Sequence, residues 1–293
     1  GGVAARLTAV DFRATLPETA AGREGASMED AGRSVLAVGY DAVFEATPRS
    51  PTLRHLWREL AAGGDFPEEF LHISCVTLAQ LRRMADEMGL QAGDTLVDLG
   101  CGMAGPALWV TRETGAKLIG VDFSPVAVAL ASERANRLGL STAAQFKVGA
   151  FEDTGLEDAL ANAAMSEDAL QYAPDKGAAM REAARILRPG GRLVFTAFEL
   201  DPDHVAGLPV LGTDPVDDYR PLLNAAGFTI EVYEEAPGWP EPLRTTYQAL
   251  LDAKEALIKE MGELAAMALF SELTLTLQTE PYRRRVLAVA TRR

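Results

Sequence analysis

Between Leu96 and Val110 the sequence LVDLGCGMAGPALWV runs a short apolar segment straight into Gly100, Gly102 and Gly105, and then into a helix-forming stretch. Glycine lacks a Cβ, so the chain can reverse within a few residues and its backbone can approach a ligand closely. The helix that follows offers unpaired N–H groups at its start. Short apolar runs recur in AKLIGVDFS, AQFKVGAFE and GGRLVFTAFE, separated by helical stretches. Strand alternating with helix from about Thr95 to Phe198 predicts a right-handed βαβ array. Strands that are apolar throughout predict a parallel sheet covered on both faces.

The flanks are less regular. Leu53, Leu56, Trp57 and Leu60 fall at helical spacing, as do Leu78, Leu81, Met84 and Met88. AAGFTIEVYEEA reads as a helix end capped by Gly227 followed by a strand, and RRVLAVATR as a final strand. Tyr247, Leu250, Leu251, Leu257, Ile258, Met261, Leu264 and Leu269 mark one face of a single long helix from Leu243 to Phe270. LTLTLQ, beyond it, fits either a strand or the end of that helix. The expected organisation is a flexible leader at residues 1–27, a helical cap at 28–92, and an α/β domain at 93–293 with a lid insertion at about 240–278.

Composition narrows the function classes. Asp and Glu total 42 against 28 Lys and Arg, a formal charge of −14 and a pI near 4.7. Such a surface repels phosphate backbones and anionic headgroups, so neither nucleic acid nor membrane is an expected partner. No apolar stretch approaches the ~20 residues of a membrane span. The cysteines are Cys75 and Cys101, without CxxC spacing, which excludes a disulfide framework, argues against a zinc site and suits reduced thiols in the cytoplasm. Asp214, Asp217 and Asp218 read as a solvated turn, not a metal site, because no histidine joins them.

Gly100, Gly102 and Gly105 formally satisfy the dinucleotide fingerprint, so a nicotinamide-dependent oxidoreductase has to be weighed. Asp98 argues against it: a carboxylate two residues before the first glycine opposes a diphosphate and favours a ligand carrying an ammonium and a sulfonium. Asp122, at the end of the next strand, suits a ribose diol because a carboxylate accepts two hydroxyl hydrogens at once.

In order, VDLGCGMAG, GVDFSPVAVALA, SEDALQYAPDK and ARILRPGGRLVFTAFE resemble the motifs of class I S-adenosylmethionine-dependent methyltransferases. The narrower resemblance is to the small-molecule group that includes natural-product, sterol, glycine and phosphoethanolamine methyltransferases. It spans Leu96 to Glu199 and implies a doubly wound, mostly parallel seven-stranded sheet with a helical lid. It also implies S-adenosyl-L-methionine as cofactor, no metal, and methyl transfer to a small organic acceptor in natural-product (antibiotic-type) biosynthesis, with oxygen slightly ahead of carbon or nitrogen. A homodimer is left open.

By the same resemblance Asp98, Gly100, Cys101 and Gly102 cradle the methionine moiety, Asp122 binds the ribose and Phe123 lies against the adenine. Ser166 and Asp168 line the cofactor and face the acceptor, with Gln171 and Tyr172 following on the loop. Many relatives carry an acid for the adenine amino group where this chain has Ala150, which shifts adenine recognition to the backbone around Phe151 or to Asp153. Phosphoethanolamine relatives carry a histidine where Tyr172 stands, so a histidine relay is not transferred there. Tyr40 is expected to close over the cofactor or simply to pack. His72, Asp168 and Tyr172, in that order, are the candidate bases, with a structural role for His72 as the competing reading. Some proteins of this fold catalyse cyclisation or rearrangement without methyl transfer, which stands as the alternative.

Overall fold

The strands are β1 (Thr95–Leu99), β2 (Lys117–Asp122), β3 (Ala144–Val148), β4 (Ala161–Glu167), β5 (Leu187–Leu200), β6 (Phe228–Glu235) and β7 (Arg283–Arg292). They form one seven-stranded sheet in the order β3-β2-β1-β4-β5-β7-β6, in which β7 alone runs against its neighbours. This computed structural model describes residues 38–205 and 215–293. The expected leader at 1–27 and Asp214 lie outside the described residues.

The chain winds outward from β1 through β2 to β3, then crosses back to place β4 on the other side of β1. That reversal opens a crevice at the carboxyl ends of β1 and β4, the position where open α/β sheets bind ligands. β1 is buried along nearly all its length because helices cover both faces. β4 carries the polar Asn162 and Glu167 in a central strand, and the partners of Asn162 show how one of them is accommodated. Asn162 accepts from the Thr95 N–H at 3.0 Å and donates to Asp94 at 2.6 Å, so its amide stitches the entry of β1 to β4.

The helices between strands start where a side chain can satisfy their free N–H groups. α3 (Leu78–Met88) opens on a capping box of Thr77 and Gln80. α5 (Pro125–Arg137) and α6 (Lys176–Ile186) are capped by Ser124 and Asp175, which accept from Ala127 and Ala178 at 3.0 and 2.7 Å. α4 (Gly105–Thr114) has no side-chain cap; it emerges directly from the glycine turn through Ala104 at φ 54°.

The single long helix expected from Leu243 to Phe270 is three helices: Pro240–Asp252, Lys254–Met261 and Glu263–Thr279, here α9, α10 and α11 with α7 (Pro202–Val205) and α8 (Arg220–Ala225) preceding them. Gly262, at φ 85° and ψ 160°, leaves the helical region and turns the chain between the last two. LTLTLQ is helical within α11. Its threonines are compatible with that: Leu273, Thr276 and Thr279 fall on one buried face, and the Thr279 hydroxyl bonds back to the Leu275 carbonyl at 2.9 Å.

The cap and the lid share one apolar core. Trp57 and Leu53, from the helical segment at Pro51–Ala61, pack with Trp239, Leu243, Tyr247 and Leu250 of α9 and with Ala266, Phe270 and Leu273 of α11. The helix that includes residues 38–46 completes this layer; a Cβ on Gly39 would sit 3.4 Å from Ala268 of α11. Cap and lid therefore form a continuous roof over the carboxyl end of the sheet. No helix among the described residues is long and apolar enough to cross a membrane, and those residues hold no cluster suited to a metal ion.

Candidate functional site

The glycine turn forms the floor of the crevice. Gly100 sits at φ 73°, and a Cβ there would come within 2.7 Å of the Phe151 ring and 2.8 Å of Ala169. Its N–H and that of Cys101 both donate to the Val121 carbonyl, at 2.8 and 3.0 Å, holding the turn against β2. Asp122 secures the other side: Oδ2 accepts from the Gly102 N–H at 2.8 Å and Oδ1 from Ser124 at 2.9 Å. Each oxygen keeps a second lone pair for a ligand hydroxyl. Burial raises the pKa of Asp122 and these two backbone donors pull it back. Cys101 is buried and its thiol is pushed up by desolvation and by Asp98 and Asp122, so it packs as a small inert group against Gly120 of β2.

Asp98 is 2% exposed and its carboxylate accepts no hydrogen bond from the described residues. Desolvation, reinforced by the charge of Asp122, raises its pKa to about 8. A buried carboxyl with no partner is costly unless something cationic meets it. Glu167, at the end of the adjacent β4, shares this environment, and its Oε1 is buried with no partner.

The cap closes over this floor at three places. Phe44 lies against Gly102, where a Cβ would meet its ring at 3.4 Å. Asp41 accepts a short hydrogen bond from the Ser124 hydroxyl, which ties the helix at 38–46 to the end of β2. Tyr40 presents its ring edge-on to Phe123 at 6.2 Å and to Tyr172 at 5.8 Å. Phe123, 43% exposed, is free to serve as a flat surface for a base. Gly105 has a different reason from the one its motif suggests. A Cβ there would lie 2.1 Å from the Phe70 carbonyl oxygen, so its absence lets the cap strap at Phe70–His72 cross the start of α4.

His72 is 7% exposed within that strap. Its Nδ1 accepts from the Ser74 N–H at 3.0 Å and lies 2.8 Å from the Ser74 hydroxyl, so the ring proton belongs on Nε2, which is buried and unpartnered. Desolvation lowers its pKa to about 3. One ring nitrogen is thus held by Ser74 and the other is sealed within the cap, so His72 packs inside the strap and does not open onto the crevice.

The end of β4 leads into the second candidate base. Asp168, at φ 51°, gives Oδ1 and Oδ2 to the buried Arg285 at 2.8 and 3.1 Å and takes a third hydrogen bond on Oδ2 from the Cys75 N–H at 2.8 Å. Its carboxylate braces strand, cap and β7 and is not open to an acceptor. Ser166 is fully buried and donates to the Leu99 carbonyl at 2.7 Å, joining β4 to β1 instead of reaching into the crevice. Gln171 closes the same turn: its amide nitrogen donates to the Asp168 carbonyl and its oxygen accepts from the Phe198 N–H at 3.4 Å.

Tyr172, the third candidate base, stands apart from these braces. Its hydroxyl donates to Oε1 of Glu272, on lid helix α11, at 2.9 Å. Tyr40 lies beside the pair, its hydroxyl buried and without a hydrogen bond of ordinary geometry. Desolvation raises the pKa of Glu272, and the hydrogen bond from Tyr172 opposes that rise. Desolvation, then the Glu272 charge, raises that of Tyr172. On the far side of the crevice Ala150 is exposed and trades backbone hydrogen bonds with Asp153, while Phe151 packs under Gly100. The displaced acids are occupied: Glu152 accepts from the Asp175 N–H at 3.0 Å, and Asp153 from Gly155 at 3.1 Å. Oδ2 of the exposed Asp153 takes no hydrogen bond from the described residues, so this carboxylate and the backbone near Ala150 and Phe151 both line this side of the crevice.

Sequence reasoning missed Glu272 and Arg285. Glu272 sits 100 positions from Tyr172 in an amphipathic helix, where one more acid carries no signal. Arg285 did carry one, a charge at the head of an apolar strand, but its partner is 117 positions away.

Residues 97–195 match the methyltransferase domain family. The chain is 28% identical to the 27-O-demethylrifamycin SV methyltransferase of Amycolatopsis mediterranei (strain S699), over 70% of this chain and 77% of that one. It is 29% identical to the methyltransferase GfsG of Streptomyces halstedii, over 62% and 68%. Among solved structures, the cyclase SpnF superimposes with a TM-score of 0.64 at 24% identity, covering 73% of this chain and 80% of that one, which is a likeness of fold.

Proposed function

Since the chain belongs to the class I S-adenosylmethionine-dependent methyltransferases, we propose that it methylates a hydroxyl of a small, largely apolar natural product held between the cap and the lid. The cofactor brings an electrophilic methyl group on a sulfonium. The site fits it: Asp98 is a buried carboxyl without a partner among the described residues, Gly100 leaves a hollow that a Cβ would fill, Asp122 keeps lone pairs for a diol, and Phe123 offers an exposed ring. The same unpartnered Asp98 speaks against a diphosphate, and the family assignment displaces the nicotinamide reading.

What the protein adds is alignment, exclusion of water and a place for the acceptor's proton. The observation that carries a hydroxyl acceptor is the hydrogen bond from Tyr172 to Glu272 beneath Tyr40. A hydroxyl donating to Tyr172 finds a carboxylate one hydrogen bond further on, and burial tunes that carboxylate upward toward the range of a useful base. Aliphatic and aromatic side chains of the cap and lid core, Trp57, Tyr247 and Phe270 among them, supply the apolar surroundings such a pocket needs. The likeness to a methyltransferase named for 27-O-demethylrifamycin SV supports a natural product as acceptor, by similarity.

The test is incubation with methyl-labelled cofactor and a set of hydroxylated polyketides and aromatics, repeated with Glu272→Gln. Label on oxygen, reduced ~100-fold or more by the substitution, is the expected result. Label on carbon or nitrogen, or a rearranged product without label, would replace this reading, the latter by cyclisation on a methyltransferase scaffold.

A further inference from the structure

The crevice holds more negative charge than a single aminoacyl recognition residue requires. Parallel pairing sets Asp98 beside Met165, and Glu167 lies two residues further along β4. Side chains two apart on a strand share a face, so Asp98 and Glu167 project to the same side of the sheet, at the carboxyl ends of the two strands that flank the reversal point. Asp98 is buried and accepts no hydrogen bond from the described residues, and Glu167 Oε1 is buried with no partner among them. The nearby cation, Arg285, is spent: its Nε and Nη2 hold Asp168, and its Nη1 holds Gln80 at 3.1 Å.

We propose that Asp98 and Glu167 form a two-carboxylate seat for one cationic group, the ammonium of the cofactor's aminoacyl tail, and that the cation takes its place in exchange for a proton. This rests on the methyltransferase reading and adds Glu167, which no motif assigns, to its binding residues. The groups that face the pair are Asp122 at the end of β2, Cys101 in the turn, and Asp168 and Arg285 beyond it. His72 and Cys75 of the cap face Asp168 and Arg285 behind them. Desolvation holds both carboxyls above their ordinary range, helped at Asp98 by the charge of Asp122 and at Glu167 by those of Asp98 and Asp168; Asp98 stands at about 8, so the pair carries a proton near neutrality that an ammonium displaces.

Calorimetric titration of the full chain with S-adenosylhomocysteine at pH 7, in buffers of differing ionisation enthalpy, counts that proton. We expect release approaching one proton, with affinity rising up to about tenfold per pH unit between pH 6 and 7.5. 5′-Methylthioadenosine, which lacks the aminoacyl tail, should release none. Glu167→Gln should reduce the release and the pH dependence, leaving the part that Asp98 contributes, and weaken S-adenosylhomocysteine about tenfold at pH 8, the scale of one charge-assisted hydrogen bond. Equal proton release with the two ligands, or an unchanged proton count in Glu167→Gln, overturns the seat while leaving the cofactor assignment standing. Absence of S-adenosylhomocysteine binding in the unsubstituted protein overturns both. Should Glu167→Gln fail to fold, the comparison of the two ligands on the unsubstituted chain decides.

Discussion

Arg285 and Asp168 form a buried two-point ion pair, Nε to Oδ1 at 2.8 Å and Nη2 to Oδ2 at 3.1 Å, that binds the last strand to the end of β4. Since Asp168 also holds the Cys75 N–H, this one carboxylate joins sheet and cap at the edge of the crevice. Arg285→Met leaves that carboxylate buried without its cation, and should cost about 3–5 kcal/mol in chemical denaturation. Asp168→Asn keeps the Cys75 contact and should cost less than Arg285→Met. A loss under ~1 kcal/mol for Arg285→Met would return Asp168 to the pool of candidate bases.

Gly100→Ala tests the floor of the crevice. The added Cβ meets Phe151 at 2.7 Å and Ala169 at 2.8 Å, in a backbone conformation at φ 73° that alanine resists. The thermal shift produced by S-adenosylhomocysteine should disappear in this variant. A shift equal to that of the unsubstituted chain would mean that the ligand does not approach this turn.

Asp98→Asn should separate stability from function. The folded-state pKa of Asp98 is raised from 3.8 to about 8. Between those values the unfolded chain has already released its proton and the folded one has not, so this residue costs stability progressively as pH rises from 4 to 8. The asparagine variant should therefore melt higher than the unsubstituted chain at pH 8, by roughly 2 °C or more. The two should converge at pH 4, and the variant should lose affinity for S-adenosylhomocysteine. A variant that melts lower at pH 8 would contradict the sign of this argument.

His72 makes the opposite prediction on the acid side. Burial lowers its pKa from 6.5 to about 3. On acidification the unfolded chain takes up a proton that the folded one refuses, so the contribution of His72 is intact above 6.5 and is lost as pH falls toward 3. His72→Gln should flatten the decline of stability across that window while leaving the shape of any pH–rate profile near neutrality unchanged. A neutral limb that vanishes in His72→Gln would reinstate it as a base.

Phe123→Ala should weaken S-adenosylhomocysteine about three- to tenfold, the range of one aromatic contact. Its melting temperature without ligand should stay within a degree or two, because the ring is 43% exposed. A large loss of stability would place Phe123 in the packing with Tyr40 and not on the ligand.

Much of the sheet was legible because it is written in local terms. Leu118 to Val121 and Leu193 to Phe195 are continuous apolar runs, Leu96 to Leu99 is broken only by Asp98, and glycine marks where that first strand must turn. The motif residues Asp98, Gly100, Gly102 and Asp122 do converge on one crevice, since each lies within a few residues of a strand's carboxyl end. The lid was read less well. Hydrophobic spacing from Leu243 to Phe270 continues across Ala253 and Gly262, so periodicity alone joins three helices into one; only packing against the cap fixes the angles at which they break.

The sequence by itself determined the alternation of strand and helix, the turn that a Cβ would block, and the sign of the charge waiting beside it. These follow from short-range sterics and from residues that are neighbours along the chain. Tertiary structure decided which polar groups are already spent. Ser166, Asp168 and His72 carry the right chemistry in the right motifs, yet each is consumed by Leu99, Arg285 or Ser74. Glu167 and Glu272, to which no motif assigned a role, are placed by the fold against Asp98 and Tyr172. A side chain's type is local, but the lone pairs it has left depend on partners brought together from a hundred residues away.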